Sequence, residues 1–150
     1  MGKRILPNDV MLDEVARLLD EGREVVIIPK GMSMLPFIRG GIDKVALRKP
    51  NDLSVGDIAL VKFNGVYILH RIIGIEGEHI TLMGDGNLQG TEKGNRSDVI
   101  GVVSEIITPK GRSHQPNKGR LWRKLFPLRR YLLKGYRKGH RLFGKQFDKQ

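Results

Sequence analysis

Cysteine is absent from this sequence, which excludes disulfides and thiolate metal sites and leaves the fold to stand on packing alone. Long hydrophobic runs are missing as well. The longest apolar stretches fall far short of the roughly 18–20 residues that cross a bilayer, so no transmembrane span is expected. Residues 1–7 lead into an acidic helical pattern, without the apolar core of a secretory signal. These absences point to a chain that is cytoplasmic or peripheral to a membrane. No internal repeat is visible. His79, His114 and His140 lack metal-ligand spacing, so neither a metal nor a cofactor is expected.

What is present is divided unevenly along 150 residues, a length that suits one domain with a real core. The net charge is +11, yet residues 1–116 hold 15 Lys and Arg against 15 Asp and Glu, while residues 117–150 hold 12 against the single Asp148. All the excess sits in the tail. Residues 1–110 are therefore read as the domain, the polar 111–119 stretch with Ser113, Pro116 and Asn117 as a linker, and 120–150 as a basic amphipathic tail.

Within the domain, Asn8 or Asp9 can cap a helix over 8–21 in which Met11, Val15, Leu18 and Leu19 recur at helical spacing, and Gly22 stands where a left-handed residue ends it. After that the pattern changes to short β-branched runs at 25–28, 44–47, 58–63, 66–73, 79–83 and 99–107, broken by Gly, Asp and Asn. The expected fold is mainly β, with one N-terminal helix and a helical basic tail. Asn64-Gly65 is a strong hairpin signal, because a type I′ turn needs positive φ at both central positions. It fixes the register of the following strand, along which Val66, Ile68, His70 and Ile72 share one face.

Three islands carry chemistry. Ser33 lies in Gly31-Met32-Ser33-Met34-Leu35-Pro36, His70 in His70-Arg71-Ile72-Ile73, and Asp85 in Gly84-Asp85-Gly86-Asn87. A serine hydroxyl is a poor nucleophile at neutral pH and needs a base within reach, plus a third group that orients the base. Imidazole titrates close to neutral pH and suits that task. Lys62 is the nearest lysine alternative, on the other strand of the hairpin. Taken one at a time, Ser33 reads as a turn residue, His70 as a core histidine and Asp85 as a turn acid.

Together with Gly56-Asp57-Ile58, these islands occur in an order that resembles the signal peptidases, in the branch where histidine replaces the catalytic lysine. That superfamily also includes the self-cleaving domains of SOS-type repressors. The resemblance runs from about residue 25 to 107. It implies a coiled mainly β peptidase domain in which Ser33 is the nucleophile, His70 the base and Asp85 the orienting acid, with the Ser33 backbone N–H as oxyanion donor. Glu92 is the alternative acid, and Asp57 is expected to hold a turn. The implied substrate is an extended peptide or preprotein segment paired along a strand edge. No transmembrane span is expected in this sequence, a departure from the family's usual members, and Gly31 stands where some bacterial members place a second oxyanion hydroxyl.

Two other readings compete. One is a non-catalytic peptide-binding module. The other is a repressor-derived self-cleaving regulator, which the single N-terminal helix argues against, since a DNA-reading helix-turn-helix needs two. In the tail, Trp122, Arg123, Lys124, Phe126, Arg129, Arg130 and Tyr131 interleave cations with bulky apolar rings. That pattern fits a helix lying in the headgroup layer of an anionic membrane. Nucleic acid is the weaker reading, because phosphate binding does not call for so many apolar residues.

Overall fold

The computed structural model describes residues 8–31, 33–86, 90–117 and 119. Helix α1 (Asn8–Asp20) buries Val15 and Leu19 and ends one residue before the expected stop. Gly22, at φ +84°, donates to the Leu19 carbonyl at 2.9 Å, and Arg23 donates to that of Leu18 at 3.1 Å. Backbone groups left over by the last turn are thereby satisfied, as a left-handed glycine permits.

The strands are β1 (Val25–Ile27), β2 (Lys44–Arg48), β3 (Ile58–Phe63), β4 (Val66–Glu76), β5 (His79–Met83), β6 (Glu92–Asn95), β7 (Val99–Ile107) and β8 (Ser113–His114). They pair antiparallel in the order β1-β2-β7-β3-β4-β5-β6, with β8 added to β7. The fold is thus mainly β, a curled antiparallel sheet with one helix near its N-terminus. Asn64 and Gly65 both have positive φ, +48° and +80°, which sets the β3–β4 register with Ala59 opposite His70 and Ile58 opposite Arg71.

Strand β3 explains why its sequence is apolar without alternation. Ile58 and Leu60 pack into one core with Val15, Leu19, Val45, Leu47, Val103 and Ile106. Ala59 and Val61 pack into a second with Ile72, Ile80, Leu82 and Val99. A strand covered on both faces has no reason to alternate. Each fully buried aliphatic side chain contributes about 1.5–3 kcal/mol, so these two clusters supply the packing that the missing disulfides do not.

Strands β6 and β8 were not expected, and β4 is longer than expected. β6 is Glu-Lys-Gly-Asn, held by its pairing with β5 from Leu82↔Glu92 to His79↔Asn95. β4 runs on to Glu76, past a bulge between Ile72 and Gly74. Within the stretch read as a linker, Ser113 and His114 pair with β7, and Asn117 and Gly119 lie against Arg71. The tail residues Trp122, Arg123, Lys124, Phe126, Arg129, Arg130 and Tyr131 lie outside the described residues. Among the described residues, no helix is long and apolar enough to cross a membrane.

Candidate active site

Ser33 is carried on the excursion between β1 and β2, which is pinned at its neck. The Gly41 N–H donates to the Pro29 carbonyl at 2.7 Å. Gly40 passes so close to Gly31 that a Cβ on it would lie 1.7 Å from the Gly31 oxygen. Only glycine fits there. Met34, Leu35 and Ile38 are buried beneath the loop, and the buried Asp43 carboxylate accepts from the Arg39 N–H at 2.8 Å and from its guanidinium at 2.8 and 3.0 Å. Ser33 is therefore presented by a braced loop, half-buried. Its carbonyl accepts from the Gly86 N–H at 2.7 Å, which ties the first chemical island to the third.

His70 reaches the same place from the sheet. Ser33, Met34 and Ile38 from the loop and Tyr67, Ile68, Leu69 and His70 from β4 line one cleft of about 260 Å³. A larger hollow, about 700 Å³, lies at the far end of β4–β6 against Gly74, Glu76, His79, Thr81, Lys93 and Asn95. It is bigger, but it holds neither Ser33 nor His70. The smaller cleft is the candidate site because Ser33 and His70 both line it.

The acids divide differently from the expectation. Successive residues of a strand point to opposite faces, so His70 and Arg71 diverge. Arg71 is fully buried, and a buried guanidinium needs a counter-charge. Asp85, expected to orient His70, supplies it: Arg71 Nε donates to Asp85 Oδ1 at 2.8 Å, and Nη2 donates to Oδ2 at 2.7 Å. Arg71 Nη1 donates to the carbonyls of Gly56 and Asn117, both at 2.7 Å, and the Phe37 ring centroid lies 5.2 Å from Cζ.

Glu92 is the carboxylate at His70. Its Oε1 lies 2.8 Å from His70 Nδ1, with the two side chains 26 % and 9 % exposed. The oxygen sits off the line of the ring N–H, and among the described residues neither Nδ1 nor Glu92 Oε2 has a hydrogen-bond partner. The distance is that of a charge-assisted bond while the angle is not. A hydrogen bond formed at this contact would fix the tautomer and stabilise an imidazolium.

Lys62 sits elsewhere. It is 3.3 Å from Asp13 Oδ1 and 5.0 Å from the Tyr67 ring centroid, and its hydrogen bond with Asp13 raises its pKa above the usual 10.5. An ammonium held protonated in this way is a poor base. Asp57 accepts from the Ser54 N–H at 2.9 Å, which is turn geometry. Arg71, which joins Gly56 of the Gly56-Asp57-Ile58 segment to Asp85 of the third island, is a hub that the sequence reading missed. The available signal was an arginine at an interior position of a strand that pairs on both sides.

No protein-family model matches this chain, and no curated protein matches it.

Proposed function

We propose that this chain is a serine endopeptidase of the kind it resembles in sequence, a histidine-type signal peptidase, cleaving an extended peptide by acyl transfer. The observation that carries this reading is the shared cleft of Ser33 and His70, with Glu92 Oε1 2.8 Å from His70 Nδ1. Ser33 Oγ attacks the peptide carbonyl while His70 takes its proton. The tetrahedral oxyanion is met by the Ser33 backbone N–H. His70 then returns the proton to the leaving amine, and water repeats the sequence on the acyl-enzyme.

Glu92, at Nδ1, holds the imidazole in the tautomer that leaves Nε2 to accept. Asp85 acts on the scaffold through Arg71. Reaction of the full chain with a fluorophosphonate, with Ser33→Ala as control, tests the proposal. Labelling confined to Ser33 supports it. An intact, folded chain that binds extended peptides and takes no label would instead be the non-catalytic module, and cleavage confined to the chain itself would be the repressor-like regulator.

The tail supplies the second part of the proposal. Twelve cations against one acid over residues 117–150, interleaved with Trp122, Phe126 and Tyr131, favour an anionic membrane surface as the partner that brings the cleft to its substrates. Each cation near such a surface adds about 1 kcal/mol. Vesicle co-sedimentation decides it: binding to anionic but not neutral vesicles, weakening with salt, is expected. Tighter salt-sensitive binding to nucleic acid than to lipid overturns it.

A further inference from the structure

Residue 119 stands at the boundary of the basic tail, and it is buried. Gly119, at φ +67°, lies against the stem of Arg71: a Cβ there would come within 2.8 Å of Nε, 2.9 Å of Cζ and 3.1 Å of Cδ. Its N–H donates to Asn117 Oδ1 at 2.7 Å, so the Asn117 side chain shapes the turn that brings the glycine down. The Asn117 carbonyl in turn accepts from Arg71 Nη1 at 2.7 Å. Glycine is required here twice, for the left-handed backbone and for the close approach.

The same guanidinium grips Asp85, and the next residue, Gly86, donates its N–H to the Ser33 carbonyl. A chain of direct contacts therefore leads from Asn117 and Gly119 through Arg71 and Asp85 to the backbone of Ser33. We infer that Asn117 and Gly119 form a clasp over Arg71 that positions the Ser33 loop for reaction, making Gly119, Asn117 and Arg71 positioning residues. This rests on the peptidase reading for its kinetic consequence, and on contacts alone for its structural one. Misplacing a nucleophile by about an ångström costs up to roughly a hundredfold in rate, so a clasp acting at second hand has ample range.

The test uses the full chain with Gly119→Val, Asn117→Ala and Asn117→Asp. Two readouts are needed: the rate of fluorophosphonate labelling and peptide cleavage, and hydrogen exchange at the Gly86 amide, which reports the bond to Ser33 without any chemistry. Gly119→Val should slow labelling roughly tenfold, through kcat with KM little changed, and should speed Gly86 exchange. Asn117→Ala should do the same at roughly threefold, and Asn117→Asp, which keeps the acceptor oxygen, should restore near-normal values.

Exchange at Leu60 and Gly101 in the central strands separates the clasp from general loosening. Equal acceleration there and at Gly86 would overturn the proposal in favour of a plain stabilising contact. Unchanged Gly86 exchange in Gly119→Val would also overturn it. If the parent chain never labels at Ser33, the peptidase reading falls while the exchange series still decides whether the clasp exists.

Discussion

His70 and Arg71 are neighbours in sequence, and each meets a carboxylate, yet the two pairs are built differently. Arg71 and Asp85 are almost wholly enclosed, 1 % and 3 % exposed, with two bonds between them in parallel and further donors spent on two carbonyls. His70 and Glu92 touch at the same distance range, but their angle is poor and Glu92 is a quarter exposed. The first pair is fixed by surroundings that leave it no alternative. The second has its hydrogen bonds incomplete, which suits the proton-transferring role proposed for His70.

Breaking the enclosed pair should have the largest effect. Arg71→Met or Asp85→Leu alone strands a buried charge and should cost about 3–5 kcal/mol, read from denaturant midpoints. The double variant should recover much of that loss, because an apolar pair of similar volume escapes desolvation. If the refolded double variant also recovers cleavage, Asp85 is scaffold. A stable but inactive double variant would give Asp85 a chemical role and erase the contrast between the pairs.

Glu92→Gln sharpens the same comparison from the other side. Cleavage should fall roughly 10–100-fold, less than for a fully aligned triad, while the thermal midpoint barely moves. A large loss of stability with little loss of rate would exchange the roles of the two acids. Gly40→Ala acts one step removed, by pushing the Gly31 carbonyl away. It should cost about 1–3 kcal/mol and slow labelling of Ser33, because the clashing atom is backbone and cannot swing aside.

The smallest expected effect lies on the surface, where Asp13 accepts from the Tyr67 hydroxyl and pairs with Lys62. The Tyr67 bond, then Lys62, lowers the Asp13 pKa below its usual 3.8, so its contribution is full above that value and is lost as pH falls through the lowered one. Burial, then Asp13, raises the Tyr67 pKa above 10.0, so its contribution is full below that value and is lost as pH rises through the raised one. Asp13→Asn should therefore lower the melting temperature slightly across the middle range, and the gap should close in acid. A gap that persists in strong acid would mean the side chain acts by packing.

The parts of the fold legible in the sequence are those with a local cause. Asn64-Gly65 dictates its turn, Gly22 ends its helix, and the β-branched runs become strands. Glu92–Asn95 escaped because nothing in its residues asks to be a strand; its shape comes from β5 alongside it. Ser33 and His70 were readable as candidates from their surroundings in the chain. The partition of the acids was not, since it depends on where the curled sheet carries Glu92. Half of it was within reach, because an interior arginine on a paired strand demands an anion and Asp85 stood close in sequence.

The adjacency of His70 and Arg71 has one more consequence, which concerns errors in folding. A strand displaced by a single residue turns every side chain to the other face. In β4 that slip would carry the guanidinium into the cleft and the imidazole into the clasp. The misregistered sheet would have no imidazole in the Ser33 cleft and no cation to gather Gly56, Asp85 and Asn117. Such a molecule would be silent rather than unselective. Under the proposed peptidase reading, setting His70 and the buried Arg71 on consecutive residues makes activity itself a report on correct assembly, and gives the Asn64-Gly65 turn a part in guarding against stray proteolysis.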